Sequence, residues 1–411
     1  MAKTQFGGSK EQDPPYTVSM FDDDPIEDLD KLVSELRLGV APASVDRVEK
    51  AGRTSDEVVD EGPLLEWLRR VRELAGADLL LVSGAPATIR VRGAFVAASS
   101  KPLEAMQILQ AVASFVPTRL FERYRGGESV DLAFARPGLG RFRVNLHYER
   151  GRPAAALRAL PMTIPRLAQL NFTHDISALS RLPRGLVLIG GPTGSGKTTT
   201  LAALVAEMNA REQRHIITIE DPIEYEHPHG TCLIEQVEIG VDSPDFATAL
   251  RAAVRQAPDV IVLGEMRDPE SMRIAVAAAE TGHLVFATVH TTDVASAVGR
   301  IADGFPAERQ NAVRQELAMA LAGVLTQTLL RTTSGALVPA AELLMVSYGA
   351  RQHIRKNALQ HLNQEITITR KAGSFTLEES LASLVRGQKL DRQSALMRAA
   401  HPEELMTLLA G

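Results

Sequence analysis

The chain has 411 residues, a formal net charge of −5 and a single cysteine. That length gives room for two domains with cores of their own, one thiol excludes an intramolecular disulfide and any multi-cysteine zinc site, and the acidic balance counts against a protein that coats nucleic acid by neutralising phosphates. No run of about 18 apolar residues is present and no basic region leads into an apolar stretch at the N-terminus, so neither a membrane span nor a secretory signal is expected, and a reducing cytoplasm is the expected compartment.

Residues 1–60 carry 14 acidic against 7 basic residues, which leaves the remainder close to neutral. The opening stretch to Asp24 is polar, bears Gly and Pro, and reads as disordered. From Pro25 the pattern changes: Ile26, Leu29, Leu32, Val33 and Leu36 share one helical face, with Pro25 at the first turn and Asp23 or Asp24 as cap. Such a helix packs either on its own protein or on a partner. Residues 61–176 read as a small PAS-like α+β domain. It is expected to hold a helix over 64–75, a strand from Asp78, a hairpin turning at Arg92-Gly93, and a strand pair at 131–134 and 141–146. Residues 177–185, with Pro183 and Gly185, read as a linker. From 186 to 411, apolar strands at 186–189, 216–219, 260–263 and 284–289 alternate with helical stretches, the sign of a mainly parallel sheet covered by helices. From Pro306 to the end the pattern reads as helical.

The strongest chemical signal is Gly191-Pro192-Thr193-Gly194-Ser195-Gly196-Lys197-Thr198, followed by Thr199, between an expected strand and an expected helix. Glycines let backbone N–H groups turn toward phosphates, and the helix N-terminus favours an anion. Lys197 supplies a point charge and the Thr198 hydroxyl reaches Mg²⁺, so the segment is expected to bind ATP. A second element, 258–268, is an apolar strand ending in Glu265, which is placed to polarise a water for attack on the γ-phosphate. Glu220, Asp221 and Glu224 put three carboxylates in five residues at another strand end, suited to Mg²⁺ or to orienting water. His283 and His290 flank the strand at 284–289, and His290 stands at its carboxyl end, where a sensor of the γ-phosphate would sit.

In this order the four elements resemble the PilT/secretion-ATPase superfamily of hexameric motors. Its phosphate loop, its "Asp box" at 219–225, its acidic strand at 264–268 and its "His box" from Thr281 to Thr292 are all matched, and the similarity to the pilus retraction ATPases spans roughly residues 62–400. Smaller matches occur at Arg141-Phe-Arg-Val-Asn and Gln327-Thr-Leu. The resemblance implies an α/β fold: a RecA-like P-loop NTPase core, a small α+β N-terminal domain and a helical C-terminal part. It implies Glu265 as general base, Glu220 with Asp221 and Thr198 around Mg²⁺, and Arg141, Arg143 and Arg158 as arginines closing over the nucleotide. It also implies a homo-hexamer at the inner face of the cytoplasmic membrane, acting on a membrane-embedded platform protein, with no nucleic acid as partner. The single cysteine cannot supply the four-cysteine zinc motif of extension and type II secretion relatives, which points to the retraction branch. Departures from that branch are Leu80 where the family has His, Ala257 where it has Asp, and the segment from Tyr348 to Lys356, which keeps only Arg351, Ile354 and Arg355 of the retraction signature. Pilus extension, secretion and an accessory pilus motor stay open as alternatives.

Overall fold

The structure, a computed structural model, describes residues 62–410. The amphipathic helix expected at residues 26–36 and the rest of the acidic extension lie outside the described residues.

Helix α1 (Pro63–Glu73) opens on a proline at its first turn and buries Leu64, Trp67, Leu68 and Val71, one face at helical spacing. Six strands follow: β1 (Asp78–Val82), β2 (Thr88–Val91), β3 (Ala94–Ala97), β4 (Val130–Arg136), β5 (Gly140–Glu149) and β6 (Arg152–Ala159). Helices α2 (Ala105–Ala113) and α3 (Thr118–Arg125) interrupt them after β3. The strands form one antiparallel sheet in the order β3-β2-β1-β6-β5-β4. The β2–β3 hairpin turns at Arg92 and Gly93, both at positive φ (50° and 90°), as the Arg-Gly pair predicts for a two-residue loop. Alternation along β5 buries Phe142, Val144 and Leu146 and sends Arg141 and Arg143 to the opposite face. Arg158 of β6 stands in register beside Arg143.

The segment expected as a linker is partly packed: Ser177–Arg181 forms a 3-10 turn with Leu179 and Ser180 fully buried. The chain then enters a seven-stranded sheet made of β7 (Gly185–Gly190), β8 (His215–Glu220), β9 (Leu233–Glu238), β10 (Val260–Leu263), β11 (Leu284–Val289), β12 (Leu321–Arg331) and β13 (Leu337–Met345). Its order is β13-β12-β7-β11-β10-β8-β9, and every neighbouring pair is parallel except β12 with β13. Apolar residues face both ways along each central strand. Leu186, Leu188, Ile261 and Leu263 enter one core, with helices α5 (Phe246–Ala253), α6 (Pro269–Glu280), α7 (Val294–Asp303) and α8 (Ala307–Ala320). Val187, Ile189, Val260 and Val262 enter the other, with α4 (Lys197–Asn209). Burial on both faces is why these strands read as continuous apolar runs.

One expectation is corrected. The chain from Pro306 onward is not helical throughout, because β12 and β13 form a hairpin that extends the sheet beside β7. Strand β12 is buried on both faces along most of its length, so its apolar run shows no period that separates helix from strand. The helices after it, α9 (Tyr348–Arg355), α10 (Leu362–Ile368), α11 (Leu377–Arg386), α12 (Arg392–Arg398) and α13 (Pro402–Ala410), are helical as read. The last three pack on the hairpin through Leu330, Val338, Leu381, Leu384 and Leu405. Among the described residues no helix is long and apolar enough to cross a membrane.

Candidate nucleotide site

Strand β7 ends at Gly190, and the chain turns through residues 191–196 into α4, which begins at Lys197. Gly191, Gly194 and Gly196 all take positive φ. At Gly191 the need for glycine is also steric, since a Cβ would stand 2.3 Å from Ser195 Oγ and 2.4 Å from the Gln327 carbonyl oxygen. Pro192, Thr193 and Gly194 form the exposed crest of the loop. The Lys197 side chain is folded along the loop, its Nζ donating to the carbonyls of Gly191 (2.8 Å) and Pro192 (3.1 Å). Burial pushes the Lys197 pKa down, and Glu224 opposes that shift. Ser195 Oγ is buried without a partner inside this cradle, an orphan donor that a phosphate oxygen would satisfy. With the helix N-terminus behind it, the loop fits a nucleotide's phosphates.

Three more strands end at the same edge of the sheet, the place where parallel α/β sheets bind ligands. Glu220 closes β8. Its Oε1 accepts from Thr218 Oγ1 (2.7 Å) and Gln236 Nε2 (3.1 Å), and burial pushes its carboxyl pKa up against those bonds. Asp221 is exposed. Glu224 lies close enough to the loop for Thr198 and Lys197 to bear on its carboxyl. Burial raises its pKa, and Thr198, Arg143, Arg158 and Lys197 each work to lower it. Thr199 Oγ1 lies 3.0 Å from the Tyr225 hydroxyl.

Glu265 follows β10 and is largely buried. One carboxylate oxygen is ion-paired with Arg267, and the other is 3.3 Å from His290 Nε2 at the end of β11. Burial lowers the His290 pKa, and Lys197, Arg267 and Arg300 lower it further, so the imidazole stays neutral and can give its Nε2–H to Glu265. The Thr288 hydroxyl donates to the Gly264 carbonyl and ties the two strand ends together.

The three arginines of the N-terminal sheet do not act alike. Arg143 and Arg158 bear on Glu224, while pairing with Asp131 (3.6 Å) and Asp78 (2.9 Å) respectively. Arg141 points elsewhere: it donates to the buried Glu238 at 2.6 Å and to Glu226 at 3.2 Å, joining β5 to the edge strand of the second sheet. Glu238 also accepts the Ile223 N–H. One residue beyond the expected set enters the site: Arg267, visible in the sequence only as a neighbour two positions after Glu265. Glu224 is expected from the sequence only as one of three carboxylates, with no separate role.

A complete phosphate loop on a RecA-like sheet, with carboxylates and a neutral histidine converging at the strand ends, defines a P-loop ATPase. Residues 155–399 match the family described as type II/IV secretion system protein, and the chain belongs to that family. It is 38% identical over 340 residues to the type IV pilus retraction ATPase PilT of Pseudomonas aeruginosa, covering 83% of this chain and 99% of that protein. A twitching motility protein of Neisseria gonorrhoeae is 40% identical over 318 residues, covering 77% and 85% of the two chains. The crystal structure of the pilus retraction motor PilT with bound ADP superposes with a TM-score of 0.78 at 37% identity, over 84% of this chain and 98% of that one.

Proposed function

We propose that this chain is the ATPase motor of type IV pilus retraction, working as a ring of six copies at the inner face of the cytoplasmic membrane on a platform protein embedded there. The observation that carries this reading is the match to a pilus retraction ATPase along 99% of that protein's length, with the phosphate loop intact.

In the proposed reaction the loop's N–H groups and Lys197 hold the phosphates and offset their charge. Glu265 accepts the proton of the attacking water, and His290 fixes the Glu265 carboxylate through its Nε2, 3.3 Å away. The Arg267 pair on Glu265 must open for that oxygen to take the proton, and the Arg267 side chain, 72% exposed, has room to swing away. Mg²⁺ fits the donors present. Among the described residues no three acidic, histidine or cysteine side chains gather to cage a metal. A magnesium site built from one hydroxyl, one or two carboxylates, phosphates and water needs no such cage. Thr198 and Glu224 are the donors we assign first, with Glu220 and Asp221 orienting water around them. When bound, the ion neutralises charge on the phosphates. Arg143 and Arg158 bear on Glu224 electrostatically from the N-terminal sheet, so closure of that sheet on the site adds positive charge. Alternating closure and opening around the ring then moves the platform protein.

The test is the Lys197→Ala allele in the source organism, with surface pili counted and twitching assayed together. Excess pili without movement is the expected result. Cells without pili would assign the motor to extension, and unchanged pili would assign it to another secretion machine.

A further inference from the structure

One side chain outside the loop grips the loop at two places. Gln327 lies on β12, one residue beyond the register pair of Thr326 with Gly190, and so stands where the loop leaves β7. It is 4% exposed. Its Nε2 donates to the Ser195 carbonyl at 2.7 Å, and its Oε1 accepts from the Thr200 hydroxyl at 2.9 Å. The first bond reaches the loop and the second reaches the opening turn of α4. An amide offers that donor and acceptor together, where a carboxylate or an apolar side chain does not. The residue also packs on both ends of the loop. Its backbone oxygen is 2.4 Å from a Cβ built on Gly191, and its Nε2 is 3.3 Å from one built on Gly196.

The peptide between Ser195 and Gly196 is planar, so its carbonyl and its N–H point in opposite directions. Holding the Ser195 carbonyl outward, against Gln327, turns the Gly196 N–H toward the loop interior. With that peptide rotated, a phosphate would meet a carbonyl oxygen in place of a donor. We infer that Gln327 is a positioning residue that holds the phosphate loop in its nucleotide-accepting shape by fixing the Ser195–Gly196 peptide. This deepens the ATPase reading above and rests on it.

The test is the affinity of the full chain for a fluorescent ADP, measured for wild type, Gln327→Leu, Gln327→Glu and, as a non-binding control, Lys197→Ala. Gln327→Leu removes both bonds and leaves buried groups unpaired, and it should weaken binding by about tenfold or more. Gln327→Glu keeps the acceptor for Thr200, but once ionised it has nothing to donate to Ser195. Protonated, it regains a donor, and burial raises the pKa at which that happens. Its affinity should therefore be poor in mild alkali and recover toward the wild-type value as the pH falls. A side chain that only filled space would show no such recovery. If Gln327→Leu does not fold, the Glu variant decides alone. Wild-type affinity for Gln327→Glu in alkali, or weak binding that acid does not restore, overturns the proposal. Failure of the wild-type chain to bind ADP would instead strike the ATPase reading, so the two failures are distinguishable.

Discussion

Glu342 is a buried carboxyl whose protonation should set how the stability of this domain varies with pH. It sits on β13 opposite Thr326, and its Oε1 accepts the Val294 N–H (2.7 Å) and the Thr326 hydroxyl (3.1 Å). Burial pushes its pKa to about 7, and the carboxylates of Asp293 and Glu378 push the same way, against the two hydrogen bonds. A carboxyl raised on folding contributes stability that is fully present below its unfolded value, 4.5, and is lost as the pH rises through about 7. At about 1.4 kcal/mol for each pH step of one between those two values, the loss approaches about 3 kcal/mol in mild alkali. Glu342→Gln removes the ionised form. The amide oxygen can accept the same two hydrogen bonds, and the amide nitrogen faces a cavity that Asp293 and Glu378 also line. The variant should thus match wild type near about pH 4 and exceed it by up to about 3 kcal/mol near about pH 9. Parallel denaturant titrations of the two proteins at both pH values check this. An equal difference at the two pH values, or a variant weaker in alkali, would refute the assignment of the pH dependence to this carboxyl.

Other outcomes follow from the same geometry. Arg141→Ala leaves Glu238 buried beside no cation and should cost about 3–5 kcal/mol, read as a lowered unfolding midpoint. An unchanged midpoint would mean that the pair is solvated and holds nothing together. Glu224→Gln should raise the Mg²⁺ concentration for half-maximal ATP turnover by about tenfold or more while the protein stays folded. A change confined to kcat would move Glu224 out of the metal's surroundings.

The parallel strands and the phosphate loop were legible because their signals are local. A strand buried on both faces must be apolar throughout, as Leu186 to Ile189 are, and a loop that cradles phosphate needs its glycines and Lys197 at fixed spacing. Burial on both faces also explains the miss at Leu321–Arg331, where the strand follows directly on helix α8 with no turn to mark the change and its buried positions show no alternation. Gln327 was noted only as part of a short family match, since its bonds to Ser195 and Thr200 join positions far apart in the chain. The same holds for Arg141, whose partners Glu226 and Glu238 lie 85 and 97 residues further along the chain. Which of Glu220, Asp221 and Glu224 meets Thr198 depends on the path of the loop after β8, and spacing alone does not fix that path.

The most direct test of the account is ATP binding and turnover measured together for Glu265→Gln. The carboxamide keeps the shape of the side chain beside His290 but cannot take the proton of the attacking water. Nucleotide affinity should stay within about twofold of wild type while turnover falls by about a hundredfold or more. Turnover at the wild-type rate would contradict Glu265 as the base and, with it, the proposed chemistry of this site.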